Sequence, residues 1–332
     1  MTRRWDNAAA ALERHQVAVY LAAIATGVLL GWAAPGAGPG LEHVISPVLA
    51  ALLYATFMQV PAGQLARSLR DWRFLTATMT VNFAVVPIVV AAMFVFLPAS
   101  QAVQIGVLLV LLTPCIDYVI VFSKLAGGSS QRLLAATPLL LIAQMLLLPV
   151  FLLLFLGPTL ADTVEAGPFI HAFVTLIVIP LALAWATQWW ATRHRSGTVV
   201  AGAAGTAMVP LMATTLFVVV ASQVPKVRDD ITDVTAVVPY YMLFLIVMAV
   251  TGLLVARVFR LDTPASRAVV FSGATRNSLV VLPLALALPD HLAVAAAVVV
   301  TQTLVEVIGM VAYVRIVPNM IPTKTPSTHT SV

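Results

Sequence analysis

Charge is what this sequence has least of. Only 9% of its 332 residues are Asp, Glu, Lys or Arg, against 61% hydrophobic. A soluble globular domain carries about 25% charged residues. Together with a mean hydropathy of +1.01, the shortage excludes that class and points to an integral membrane protein. Cysteine is nearly missing too: the single Cys115 rules out a disulfide framework or a multi-cysteine metal site within the chain. No Walker-type phosphate loop or dinucleotide glycine motif is present, so bound ATP is disfavoured as a driving force. No cofactor is expected. The formal charge of +5 does not signal nucleic acid, because the basic residues are spread over short loops and read first as topology.

Long apolar runs are what the sequence does have. A helix needs about 20 mostly apolar residues to cross the hydrocarbon core. Ten such segments can be laid down: 17–34, 41–60, 74–97, 103–122, 133–156, 169–190, 199–220, 237–259, 268–288 and 292–317. The first follows Arg3 and Arg4 but exceeds the roughly 7–15 residues of a signal-peptide core, so it is kept as a span. With a cytoplasmic N-terminal segment (1–16), one side collects most of the cations, among them Arg67, Arg70, Arg73, Lys124, Arg132, Arg257, Arg260 and Arg267. The other side has Lys226 and Arg228 and most of the acids, including Glu42, Asp162, Asp229, Asp233 and Asp290. The asymmetry predicts a multi-pass protein of the cell membrane with both termini cytoplasmic. Trp72, Trp189 and Trp190 fall beside basic loops, at headgroup level. The tail 319–332, rich in Pro, Thr and Ser, is expected to be disordered.

A polar connection at Asp162–Pro168 leaves five spans on either side. An odd number forces the second half to start from the opposite face. Any duplication is therefore inverted, with one repeat at about 17–157 and the other at about 168–318 of a ten-span unit covering 17–318. The punctuation agrees: Thr113-Pro114-Cys115 interrupts the fourth span, and Gly273-Ala274-Thr275-Arg276-Asn277-Ser278 interrupts its counterpart, the ninth. Interrupted helices at matching positions of two halves point to a transporter binding site, since unwound backbone survives at that depth only against protein or a water-filled cavity.

Three strongly ionisable residues remain at depth: Asp117, Arg276 and Glu306. Each costs a few kcal/mol or more at the bilayer centre, so each marks a candidate functional position. Gln302 stands four residues before Glu306, on the same helical face. Asp117 and Arg276 sit in the two interrupted spans and read as an ion pair, functional or merely structural. Cys115 stands at a helix break two residues from Asp117, as a thiol available to a thiophilic ligand. As a nucleophile it lacks a base. His171 and His291 fall at span ends and His15, His43, His194 and His329 outside the spans, so an enzyme is not expected. Asn82, Gln144 and Gln302 read first as helix–helix hydrogen-bonding groups.

The stretches TPCIDYVIVFSKLAGG (113–128), FSGATRNSLVVLPLALAL (271–288) and TLVEVIGMVAYV (303–314) resemble the arsenical-resistance arsenite efflux permeases. These belong to the wider bile acid, arsenite and riboflavin transporter superfamily, and the likeness runs from Val17 to Pro318. It implies an all-α fold of ten transmembrane helices in an inverted five-plus-five repeat, with fourth and ninth helices that unwind and cross. A panel of the first, second, sixth and seventh spans would stand against a core of the others. It further implies a required cysteine, matched by Cys115, and a required glutamate, matched by Glu306. The Pro-Cys-Ile-Asp order, and Arg276 where those permeases carry the first of two amides, mark a divergent branch.

By that resemblance, Cys115 would contact trivalent arsenic or antimony as substrate, with Thr113, Asn277 and Ser278 at its hydroxyls. Glu306 would exchange a proton for the departing metalloid. The fixed charge of Arg276 would stand where the sodium-coupled branch binds a cation. The alternative is a sodium-coupled symporter of a small organic anion. A receptor or regulatory subunit would call for a sizeable soluble domain. The expected partners are the metalloid, protons (sodium in the alternative) and the lipid bilayer.

Overall fold

The computed structural model describes residues 15–59, 71–116, 118–157, 171, 174–229 and 231–323. Among them the structure is helical, with no strand; the one β-type contact is an isolated antiparallel bridge between Pro114 and Arg276. In chain order the helices are α1 (Gln16–Ala33), α2 (Gly38–Met58), α3 (Trp72–Thr80), α4 (Val86–Phe94), α5 (Gln101–Leu111), α6 (Tyr118–Leu125), α7 (Ser130–Leu156), α8 (Ile179–Ala191), α9 (Arg195–Asp229), α10 (Ile231–Val258), α11 (Thr263–Ala274), α12 (Ser278–Leu286) and α13 (Val294–Met320). A wide π turn at Val81–Val85 joins α3 to α4, and another at Val174–Val178 leads into α8.

Six continuous helical stretches are long and apolar enough to cross a membrane, and α7 makes a seventh if its two bent parts count as one. The two segments expected to interrupt helices, around Pro114 and around Arg276, do so. Helices α5, α6, α11 and α12 have 11, 8, 12 and 9 residues. At about 1.5 Å per residue each covers roughly 12–18 Å, half of the about 30 Å hydrocarbon core. They are half-helices that meet end to end. The last helix runs through Met320, past the point where an unstructured tail was expected to begin. Residues 324–332, the first fourteen residues, the Arg67 and Arg70 loop and the Asp162–Pro168 connection lie outside the described residues.

Two groups of helices pack as layers. Helix α9 lies along α1 and α2, with α8 against α2 and α9; the second group gathers α3–α7 and α10–α13. The first layer is drawn tight by missing side chains. A Cβ on Gly31 of α1 would stand 2.7 Å from the Ala221 carbonyl of α9, and one on Gly27, a turn earlier, 2.9 Å from the Phe217 carbonyl. This small-xxx-small spacing lets two apolar helices touch backbone to backbone, where dispersion rather than water exclusion holds them.

At one end of the second group, Arg132 at the start of α7 bridges Asp71 (2.9 Å) and Asp262 (2.7 Å). Both aspartates are also N-caps: Asp71 accepts from the Phe74 N–H and Asp262 from the Ala265 N–H. Arg267, counted above among loop cations, is buried here. Its guanidinium donates to the carbonyls of Ala126 (2.8 Å) and Ile321 (2.8 and 3.1 Å), closing the last turns of α6 and α13.

Candidate functional site: the crossing of the half-helices

At mid-chain depth the two breaks lie antiparallel. The Cys115 N–H donates to the Thr275 carbonyl (3.2 Å) and the Asn277 N–H to the Thr113 carbonyl (2.8 Å). These bonds satisfy backbone groups that the interrupted helices leave open. Four half-helix ends thus converge on residues 112–116 and 275–277. Asn277 caps the start of α12, its side-chain oxygen accepting the Val280 N–H at 3.2 Å.

Arg276 is fully buried; both Nη atoms of its guanidinium donate to oxygens, while Nε has no hydrogen-bond partner among the described residues. Nη2 lies 2.7 Å from Asn82 Oδ1, 2.7 Å from the Ser272 carbonyl and 2.8 Å from the Gly273 carbonyl; Nη1 lies 3.2 Å from the Leu111 carbonyl. The three carbonyls belong to the last turns of α5 and α11, where unpaired acceptors and the helix dipole leave partial negative charge. A permanent cation neutralises both ends at once. Phe244 closes the site from α10, its ring centroid 5.7 Å from the guanidinium carbon. Asn82 is held in turn by bonds to the Thr78 carbonyl and the Ser272 hydroxyl, both 2.9 Å.

Glu306 is 1% exposed and the one buried acid among the described residues. Its Oε2 accepts the backbone N–H of Arg276 at 2.8 Å and the side-chain amide of Gln302, one turn back on α13. Its Oε1 accepts the Tyr118 hydroxyl at 2.5 Å. That hydroxyl also lies 3.1 Å from the Arg276 carbonyl. Guanidinium and carboxylate therefore flank one residue of the crossing without touching: the side chain of Arg276 faces the helix C-terminal ends, while its peptide N–H faces the acid.

The other candidates are gathered here as well, each no more than 2% exposed. The Thr113 hydroxyl bonds back to the Leu109 carbonyl (2.8 Å), and the Ser278 hydroxyl accepts from Thr303 (2.6 Å). Two amide groups at the crossing retain unused capacity: the Asn277 nitrogen and the Gln302 oxygen have no hydrogen-bond partner among the described residues. Asp117, expected to pair with Arg276, lies outside the described residues. No cluster of three His, Cys, Asp or Glu among the described residues could hold a metal ion. Tyr118, Ser272 and the role of Asn82 escaped the sequence reading. An amide at helical depth in 74–97 was the one signal for Asn82, and a tyrosine opening a half-helix the one signal for Tyr118.

Two cavities lie near opposite ends of α2. One, of about 490 Å³, is lined by Glu42, His43 and Ser46 of α2 and by Leu286 and Ala296 of α12 and α13. The other, of about 550 Å³, is lined by Gln16, Gln59, Ile120, Lys124 and Thr206, from α1, the end of α2, α6 and α9. Both lie between the two helix layers, and the crossing residues line neither.

Compared with known proteins, residues 17–320 match the model of the SBF-like CPA transporter family. No curated protein matches the chain.

Proposed function

Because the chain belongs to the SBF-like CPA transporter family, we propose that it is a proton-coupled secondary transporter that exports trivalent metalloid, arsenite or antimonite, across the cell membrane. The observation that carries this reading is the meeting, on adjacent residues of one crossing, of the only thiol of the chain and the only buried acid among its described residues. Cys115 bonds to Thr275 and Glu306 to Arg276.

The reading takes ten spans in an inverted five-plus-five repeat, with both termini cytoplasmic. The element order supports it: a broken pair of half-helices, α5–α6 and α11–α12, occupies the fourth place among five elements on each side of the chain's midpoint. The two cavities then face opposite sides of the membrane, and movement of one layer against the other opens the crossing to each in turn.

Arsenous acid is a small neutral triol whose arsenic prefers sulfur. One thiolate holds it long enough to select and weakly enough to release, whereas three converging thiolates would trap it. Asn277, with a spare N–H pair, and the hydroxyls of Thr113 and Ser278 are placed to meet its hydroxyls. Glu306 takes up a proton as the metalloid leaves. Arg276 supplies the positive charge that an interrupted-helix crossing otherwise takes from a bound cation. Three oxygens stand 2.7–2.8 Å from one guanidinium nitrogen, a cage that sodium would have to share with a group that never deprotonates. At about 5 Å and an effective dielectric of 20, the repulsion is roughly 3 kcal/mol. This weighs against the sodium-coupled organic-anion symporter.

The test is arsenite and antimonite efflux from cells lacking their own exporters, with the parental chain or Cys115→Ser. Efflux by the parent and its loss in the serine variant at equal membrane abundance support the reading. Equal efflux by both makes the thiol structural and removes the metalloid assignment.

A further inference from the structure

The Tyr118 hydroxyl has one hydrogen and two acceptors, Glu306 Oε1 at 2.5 Å and the Arg276 carbonyl at 3.1 Å. A hydroxyl donates once but accepts twice, so the two oxygens compete for the same proton. We infer that Tyr118 is the positioning residue that converts the protonation state of Glu306 into a change of hydrogen bonding at the helix crossing. The inference rests on Glu306 being the proton-carrying group of the proposed function.

The geometry says where the proton goes. Oε2 of Glu306 already accepts from the Arg276 N–H and from the Gln302 amide. Oε1 has Tyr118 alone as a donor among the described residues, so an incoming proton takes Oε1. While Glu306 is ionised, the charge-assisted bond at 2.5 Å claims the hydroxyl hydrogen, because such bonds are about twice as strong as neutral ones. Once Oε1 is protonated, the direction reverses: the carboxyl O–H donates to Tyr118 Oη, and the phenolic hydrogen turns to the Arg276 carbonyl. No covalent bond of the tyrosine breaks and the count balances, one proton gained and one hydrogen bond gained.

The bond that appears is at the centre of the crossing. Arg276 lies between Thr275, which accepts from Cys115, and Asn277, which donates to Thr113. Protonation therefore ties the ninth-span break to α6 through Tyr118, and ionisation releases it. The ring itself is fixed edge-on to Phe122, centroids 6.1 Å apart, so the hydroxyl turns while the ring stays.

Among the described residues, the ionisable groups that act on Glu306 are few: Tyr118 of α6, Arg276 of the crossing with Cys115 beside it, and Tyr313 of α13 itself, whose hydroxyl bonds to the Leu245 carbonyl. Asp117 lies outside the described residues.

The experiment is infrared difference spectroscopy of the full-length protein in lipid, between acid and neutral pH. A protonated-carboxyl band that disappears in Glu306→Gln identifies Glu306 as titrating; its absence from the parental spectrum overturns the proton role itself, and the inference with it. Tyr118→Phe keeps the ring and deletes the hydroxyl. The Glu306 band should then shift to higher frequency, as for a carboxyl that has lost its acceptor, and proton-driven accumulation should fall while counterflow exchange persists. A band unmoved by Tyr118→Phe overturns the inference and leaves the proton role standing.

If Tyr118→Phe does not accumulate, Glu306→Gln serves instead. Its amide N–H imitates the protonated acid and holds the phenolic hydrogen on Arg276. Amide exchange at Cys115 and Asn277 should then be several-fold slower than in the parent at neutral pH. Equal exchange overturns the inference.

Discussion

Cys115 and Glu306 are anchored to consecutive residues of one extended segment: the Cys115 N–H donates to the Thr275 carbonyl, and Glu306 accepts the N–H of Arg276. Cys115, from the break between α5 and α6, and Glu306 of α13 are thereby anchored on either side of a single peptide unit. Any displacement of the break between α11 and α12 moves both. In the proposed function, selection and coupling thus share one mechanical element.

Glu306→Gln should insert and fold, since the amide can keep its oxygen toward the Arg276 N–H and turn its nitrogen toward Tyr118. It should no longer transport in response to a pH gradient, because it has no proton to give. Proteoliposome uptake under an imposed gradient checks this. Normal gradient-driven transport by the variant would move the proton to another group.

Arg276→Leu leaves Asn82 Oδ1 and the carbonyls of Leu111, Ser272 and Gly273 facing apolar carbon. Breaking such a buried charge site costs about 3–5 kcal/mol, so apparent Tm in detergent should fall sharply. Arg276→Lys should recover part of it, with a point charge in place of the planar fork. A leucine variant as stable as the parent would remove Arg276 as the keystone of the crossing.

Much of this site was legible in the sequence, and what was not has a physical reason. Pro114 and the Gly273–Ser278 stretch announced the breaks, because residues that cannot continue a helix are local signals. Glu306 and Arg276 stood out through the cost of burying charge. The partners of Arg276 did not. The pattern offered Asp117, the opposite charge in the other interrupted span, whereas the described contacts are Asn82, far away in sequence, and backbone carbonyls that any residue would supply. Tyr118 was passed over because a tyrosine in an apolar run reads as an amphipathic filler. Arg267 was read as a loop cation from its place near a span end; only the three-dimensional fold brings the carbonyls of Ala126 and Ile321 to its guanidinium.

Packing of the first layer gives a third prediction. Gly31→Ala places a methyl group 2.7 Å from the Ala221 carbonyl and 2.9 Å from Val224 Cβ, so α1 and α9 must separate. Overpacking of this kind costs about 1–3 kcal/mol. Gly36→Ala meets nothing within 4 Å and should change stability by less than about 0.5 kcal/mol. Thermal unfolding of the two variants side by side decides it; equal Tm values would mean the helices are not in contact there.

Asp262 carries a pH prediction. Burial works to raise its pKa, but the hydrogen bond from Arg132, the N–H of Ala265 and the Arg132 charge outweigh it and hold the carboxyl below its ordinary value. A depressed folded-state pKa contributes stability that is present above the unfolded-state value, about 3.9, and is lost as pH falls through the folded-state value. Asp262→Asn keeps a good cap and loses an exposed ion pair, so at pH 7 it should cost under about 1 kcal/mol. Asp262→Ala loses the cap as well, about 1 kcal/mol more. The asparagine deficit should narrow as pH is lowered below about 4; a deficit that does not depend on pH would mean the charge contributes nothing.

The most direct test of a proton-coupled carrier with a built-in cation is transport of arsenite by the purified protein in sealed vesicles. Sodium is first replaced by choline at constant pH, and a pH gradient is then imposed with no sodium present. The account predicts unchanged transport in choline and accumulation driven by the pH gradient alone. Transport that collapses in choline and ignores the gradient would contradict it.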